Sequence, residues 1–255
     1  MQENSQQISR YEIKYFVPPQ WVDKIKSFIE PYTQLDPYAV NMENNRYLVK
    51  SLYFDTPKLD FYYEKVDGLK IRKKLRLRAY NDVFPQSTGF LEIKRRYNNC
   101  VIKERTKLSL AEIEQVIDSP VNYAYEQLWG QSNHRSINRF IYNMESLDLE
   151  PAILILYDRD AFMGLDDPQV RLTIDYHVRM KYAPQVHDIY TADGLVPITD
   201  NRCILELKFN NFMPKWMRQL VQAMRIRPES ISKYCMGIDM NLNTYKGLRD
   251  AGSIV

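Results

Sequence analysis

Over residues 69–80 (LKIRKKLRLRAY), cationic side chains take alternate positions, Lys70, Arg72, Lys74, Arg76 and Arg78, while Ile71, Leu75, Leu77 and Ala79 hold most of the places between them. A strand sends successive side chains to opposite faces, so this pattern predicts a strand with one cationic and one mostly apolar face. Residues 89–97 (GFLEIKRRY) repeat it, with Glu92, Lys94 and Arg96 in phase against Leu91 and Ile93. Residues 100–107 (CVIKERTK) follow with Lys103 and Arg105. Weaker alternation predicts further strands over residues 10–17, 47–54, 151–163, 170–180 and 201–209, the last setting Ile204, Glu206 and Lys208 against Cys203, Leu205, Leu207 and Phe209.

Helical spacing fills the intervals. Trp21, Val22, Ile25, Phe28 and Ile29 follow Pro18 and Pro19 and predict a short amphipathic helix that stops near Pro31. Asp55 or Thr56 can cap a helix between Pro57 and Gly68. Ser109 and Glu112 have the spacing of a capping box, a helical region is expected from about 121 to 144, and Pro214 opens a helix with Trp216, Met217, Leu220, Val221 and Met224 on one stripe. Roughly eight strands and about four helices predict an α+β fold, and closing such strands into an antiparallel β-tunnel with flanking helices gathers the charged rows inside.

Charge sharpens this picture. Between residues 68 and 107 there are 12 basic and 3 acidic residues, an excess of nine in a chain whose formal net charge is +3, so the remainder is acidic by about six. Like charges facing each other across neighbouring strands repel, and a polyanion on that face removes the penalty. Guanidinium forks and ammonium groups suit phosphate oxygens in particular. Nucleic acid is not the expected partner, because the charged positions of the cationic strands are expected to hold no stacking aromatic.

Composition adds bounds. A chain of 255 residues, 45% of them hydrophobic, can bury one sizeable core, and a single domain over residues 10–245 is expected between a disordered tail at 1–9 and a C-terminal tail at 246–255. The first ten residues lack the basic and apolar regions of a signal peptide, and the longest aliphatic run, residues 152–156, is too short to cross a bilayer, so a cytoplasmic protein is expected. Cys100, Cys203 and Cys235 have neither an even count nor zinc spacing, and His134, His177 and His187 lack ligand spacing, although His177 shares the phase of Arg171, Thr173 and Asp175.

Nine motifs, YEIKY, SLYFDTP, RLRAY, FLEIK, VIKER, YDRDAF, VRLTID, LELKF and SKY, run in order from Tyr11 to Tyr234. Together they resemble the polyphosphate polymerase domain of the vacuolar transporter chaperone proteins, within the triphosphate tunnel superfamily. The resemblance implies a tunnel that binds ATP and polyphosphate with Mn²⁺ or Mg²⁺ and moves the γ-phosphoryl group onto a polyphosphate end. It implies phosphate-binding roles for Arg76, Arg78, Lys94, Lys103, Arg159, Arg171 and Lys233, further substrate contacts from Lys14, Tyr157, Lys208 and Ser232, and metal binding by Glu206 with Glu12. Where superfamily hydrolases and cyclases carry alternating glutamates before a lysine, this chain has Arg10, Glu12 and Lys14. Losing the first carboxylate removes one candidate for orienting water and favours transfer over hydrolysis. A metal-dependent tripolyphosphatase and a non-catalytic polyphosphate- or nucleotide-binding module are the competing readings. Fungal family members also carry membrane helices, which implies a separate membrane partner for any coupling to export.

Overall fold

The computed structural model describes residues 10–40, 42–98, 100–119, 134–191 and 193–251. The described residues form ten strands: β1 (Arg10–Val17), β2 (Thr33–Leu35), β3 (Arg46–Asp55), β4 (Ile71–Tyr80), β5 (Thr88–Tyr97), β6 (Cys100–Ser109), β7 (Glu150–Gly164), β8 (Arg171–Tyr182), β9 (Val196–Pro197) and β10 (Cys203–Asn210). Their hydrogen-bonded order is β1-β10-β8-β7-β3-β4-β5-β6, with β2 added on β7 and β9 on β8. The α+β class and the antiparallel sheet expected from the alternation are present. The path of pairing has two ends, β1 and β6. The two strands that the sequence did not signal are the shortest, β2 and β9, where alternation has too few positions to register.

The chain divides into two compact units. One takes residues up to 47 with Tyr157–Val178 and Thr199–Ile231; the other takes Leu48–Leu156, Arg179–Ile198 and the residues from 232 onward. In the first unit, Tyr15 and Val17 of β1, Leu172 and Ile174 of β8 and Leu205 and Leu207 of β10 are buried against α1 (Val22–Ile29) and the helix Lys215–Met224. These helices present Val22, Ile25 and Ile29, and Met217, Leu220 and Met224, at the spacing that puts them on one stripe.

In the second unit, the apolar faces of β3, β4 and β5 (Leu52, Phe54, Leu75, Leu77, Ala79, Leu91, Ile93) share a core with α3 (Leu110–Asp118) and α4 (His134–Ser146). Before these helices lies α2 (Asp60–Val66), which opens three residues after Pro57 behind a left-handed Leu59; Asp55 and Thr56 are not its cap, but the amides of Phe61 and Tyr62 donate to the buried Asp55 carboxylate at 2.9 and 3.0 Å and that of Asp60 to Thr56 Oγ1 at 3.1 Å. The capping box of α3 also forms, with Glu112 N donating to Ser109 Oγ at 3.3 Å and Ser109 N donating to Glu112 Oε2 at 2.8 Å. Gly89 is required by this packing: a Cβ there would lie 2.6 Å from side-chain carbons of Ile113 and Leu110. The first part of the expected helical region, 120–133, lies outside the described residues.

Three further α-helices lie among the described residues: α5 (Asp188–Thr191), α6 (Lys215–Met224, above) and α7 (Lys233–Ala251). The last had no signal in the sequence beyond Ser232, Lys233 and Tyr234, because its apolar residues do not form one continuous stripe. Its N-terminal part is fixed by burial of Tyr234, Cys235 and Ile238. His177 corrects the phase argument: with φ 45 it leaves the alternation of β8, is exposed, and sets Nδ1 2.9 Å from Asp158 Oδ2, away from the row of Arg171, Thr173 and Asp175.

Candidate functional site

In the second unit, strand register converts the alternation of β4 into rows that cross the sheet. Arg76 stands opposite Tyr53 of β3 and Glu92 of β5, and Glu92 stands opposite Arg105 of β6. One row away, Lys74, Lys94 and Lys103 face one another in sequence, and Ser51, Arg78, Phe90 and Lys107 form the next row on the other side. The structure therefore brings Arg76, Arg78, Lys94 and Lys103 to one face. Ser232 joins them, its Oγ accepting from Lys74 Nζ at 3.2 Å, and Lys233 follows as the first residue of α7.

The Glu92 carboxylate sits at the centre of this face. Glu92, 2% exposed, accepts from Arg76 Nε at 2.6 Å and lies 3.3 Å from Arg105 Nε. Burial alone raises a carboxyl pKa, but Arg76, Arg78 and Lys103 outweigh it and bring Glu92 down to about 2. The phenol of Tyr53 obeys the same competition. Burial resists its ionisation, yet Arg76, Arg78 and Lys74 lower it to about 7, and its oxygen accepts from Arg76 Nη1 at 3.1 Å. Arg78 Nε donates to Ser51 Oγ at 3.3 Å. Positive potential on this face is thus strong enough to ionise a buried phenol near neutral pH.

Glu92, Tyr53, Lys74 and Arg105 were not among the candidate site residues. Glu92, Lys74 and Arg105 sat in phase with those that were, so the signal was available; Tyr53 needed the register of β3 on β4. Phe90 contradicts the expectation of a charged face free of aromatics. It stands opposite Arg78 and Lys107, and the Arg105 guanidinium carbon lies 3.5 Å from its ring centroid. Being in phase with Glu92 two residues on, it was legible as well.

The first unit carries a second charged row of different character. Lys14 of β1 stands opposite Glu206 of β10, which stands opposite Thr173 of β8; Glu12, Lys208 and Arg171 form the adjoining row. Glu206 is 4% exposed, with Lys208 Nζ on one oxygen and Lys14 Nζ 3.7 Å from the other. Lys14 also lies 2.9 Å from Glu12. Arg159 grips the fully buried Asp175 in a two-pronged bond, Nε to Oδ1 at 2.6 Å and Nη2 to Oδ2 at 2.8 Å. Burial disfavours the guanidinium charge, but Asp175, Tyr157 and Glu206 raise its pKa well above the ordinary value. Tyr157 is buried with its ring centroid 5.0 Å from the Arg159 guanidinium carbon. Arg171 is exposed and reaches Asp36 at 3.2 Å. The sequence-derived residues thus fall into two sets, Arg76, Arg78, Lys94, Lys103, Ser232 and Lys233 in one unit and Glu12, Lys14, Tyr157, Arg159, Arg171, Glu206 and Lys208 in the other.

The donor set bears on a metal. Among the described residues, no group of three or more His, Cys, Asp or Glu gathers as an all-protein cage. Thr173 Oγ1, however, is buried without a hydrogen-bond partner directly across from Glu206. One buried carboxylate, a second at Glu12 and an orphaned hydroxyl fit Mg²⁺ or Mn²⁺, which are commonly held by one or two carboxylates while phosphates and waters fill the remaining positions.

The fold is similar to the solved structures of a candidate adenylate cyclase from Bacillus halodurans (TM-score 0.48, 11% identity, 88% of this chain and 95% of that one) and a candidate adenylyl cyclase of Hippeastrum with a dominant triphosphatase activity (TM-score 0.49, 15% identity, 89% and 92%). Over 192 residues the chain is 22% identical to vacuolar transporter chaperone complex subunit 4 of Schizosaccharomyces pombe, covering 69% of this chain and 26% of that protein. The chain therefore spans about a quarter of the length of that relative. No helix among the described residues is long and apolar enough to cross a membrane. The model of the VTC domain matches residues 9–241, nearly the whole chain, and the protein belongs to the VTC domain family.

Proposed function

We propose that this chain is a polyphosphate polymerase that transfers the γ-phosphoryl group of ATP to the end of a growing polyphosphate. The observation that carries the reading is the concentration of cations on the β4–β5–β6 face, where register brings Arg76, Arg78, Lys94 and Lys103 into three adjoining rows around the buried Glu92. A run of phosphates is the ligand class that supplies many negative oxygens at short, regular intervals along such rows. Arg76 and Arg78 offer guanidinium forks, Lys94 and Lys103 add point charge, and Lys233 and Ser232 stand at the edge of the set.

Phosphoryl transfer places few covalent demands on a protein and depends on positioning and charge neutralisation. The acceptor is a polyphosphate terminus whose oxygens are already ionised, so no side chain must remove a proton from it. Arg159 and Arg171 would hold phosphates beside Lys14 and Lys208, with Tyr157 orienting Arg159. A divalent ion, Mn²⁺ or Mg²⁺, would be held by Glu206 with Glu12, and when bound it neutralises charge on phosphate oxygens. Arg10 stands where hydrolytic relatives would have a carboxylate, which leaves water without that orienting group.

Incubating the chain with ATP and Mn²⁺ should release ADP and build an acid-labile polymer resolvable on a gel, with little orthophosphate. Rapid hydrolysis of tripolyphosphate with no polymer from ATP would instead establish a tripolyphosphatase. Binding of polyphosphate with neither reaction would establish a binding module.

A further inference from the structure

The far end of β4, β5 and β6 has a composition that the phosphate-binding rows do not use. Ile71 stands opposite Tyr97, and Arg95 opposite Ile102, so Ile71, Tyr97 and Ile102 share the face that carries Leu75 and Ile93 deeper in the sheet. Here the side chains of that face are exposed: Ile71 by 64%, Tyr97 by 61% and Ile102 by 49%, with Leu69 beside them at 49%. Among the described residues, α4 meets this face through Arg139, which bonds Glu104 at 2.9 Å, and Asn143, which accepts from Lys73 at 3.1 Å.

The opposite face of the same strand ends is cationic. Arg72 stands directly across from Arg96, and together with Lys70, Leu69, Gly68 and Asn98 they line a depression of about 310 Å³. The guanidinium of Arg72 donates to Leu69 O at 3.2 Å and that of Arg96 to Asn98 O at 2.6 Å, which fixes both beside the depression. Among the described residues no carboxylate forms an ion pair with Lys70, Arg72 or Arg96.

A sheet end with exposed apolar side chains on one face and, among the described residues, cations without an ion-pair partner on the other constrains its occupant. A polyanion would satisfy Lys70, Arg72 and Arg96 but leave Ile71, Tyr97 and Ile102 in water. A folded acidic protein would cover one face. A bilayer interface can meet both faces of such strand ends, offering phosphates to the cations and the acyl boundary to the apolar and aromatic side chains, with Tyr97 suited to the level of the headgroups. We propose that the β4–β5–β6 end is a docking surface for an anionic lipid bilayer, with headgroup phosphates taken by Lys70, Arg72 and Arg96 and the interface entered by Leu69, Ile71, Tyr97 and Ile102.

The test is flotation of the 255-residue chain with phosphatidylcholine vesicles, either neutral or containing phosphatidylserine, with and without excess inorganic tripolyphosphate. Two variants accompany it, Ile71→Ser/Tyr97→Ser/Ile102→Ser and Lys70→Glu/Arg96→Glu, each checked for an unchanged circular dichroism melt. Binding is expected to anionic vesicles only, to survive tripolyphosphate, and to fall in both variants, by about five-fold or more for each cation lost. Loss of vesicle binding in tripolyphosphate, with both variants binding like the parent, would overturn the proposal by assigning the vesicles to the phosphate-binding rows. So would retention of binding by the apolar variant, which would mean charge attraction without insertion, and so would failure of the parent chain to float with either vesicle, which would leave a protein partner for the patch.

Discussion

The two charged rows of this protein are built from the same alternation and balanced in opposite ways. In the first unit, cations meet carboxylates locally: Arg159 with Asp175, Lys14 and Lys208 with Glu206, Arg171 with Asp36. In the second, Glu92 is the carboxylate that Arg76 and Arg105 share, while lysines face lysines across β4, β5 and β6. The first row is neutralised by its own fold. The second gathers cations from three strands in adjoining rows, the arrangement the proposed phosphate ligand would meet, so substitutions in the first should be felt mainly in the folded protein and those in the second mainly in ligand binding.

The sharpest way to break this contrast is Glu206→Gln. If Glu206 holds the metal, phosphoryl transfer should fall to background while the far-ultraviolet circular dichroism spectrum is kept, measured as ADP release with Mn²⁺. Normal turnover in that variant would remove Glu206 from the site.

Next in size is a pair of melts. Arg159→Ala leaves Asp175 buried without its bidentate partner and should cost about 3–5 kcal/mol of stability. Arg76→Ala should cost far less, because Glu92 keeps Arg105 and one source of repulsion disappears. Denaturant unfolding of the two variants side by side would check it; equal losses would erase the distinction between the rows.

Affinity should reverse the order. Arg78→Ala is expected to weaken tripolyphosphate binding by about 1.5–3 kcal/mol, the range for hydrogen bonds to charged groups, without lowering the melting temperature. Isothermal titration measures the first half and calorimetric melting the second.

The smallest expected effect is the pH dependence contributed by Tyr53. Its phenol, ordinarily at 10.0, is brought to about 7 in the fold. Between these values the unfolded chain holds a proton that the folded chain has released, so this group makes stability rise with pH across that window, and the contribution is lost as pH falls through about 7. Tyr53→Phe should flatten the slope. Saturating polyphosphate should also move the phenolate absorbance transition to higher pH, because added negative charge opposes ionisation.

Much of this was legible before folding. Alternation located β1, β3 to β8 and β10, and the capping box of Ser109 located the start of α3, because both signals are local. Those signals also named Arg76, Arg78, Lys94 and Lys103, whose shared phase is a property of each strand alone. They failed where local spacing carries no information. The long helix α7 lacks a continuous apolar stripe, and His177 loses its phase to one left-handed backbone angle. Phe90 shows a different failure, since it was in phase and passed over.

By itself, the sequence determined which residues are cationic, which face of each strand they take, and that the excess lies between residues 68 and 107. Only the tertiary structure decided which of those charges are answered. Register sets Glu92 between Arg76 and Arg105, gives Asp175 to Arg159, and pairs Ile71 with Tyr97 where both are exposed. The physical reason is that a side chain's direction follows from its neighbours in sequence, whereas its counter-charge, its burial and hence its protonation follow from strands that meet it from far along the chain.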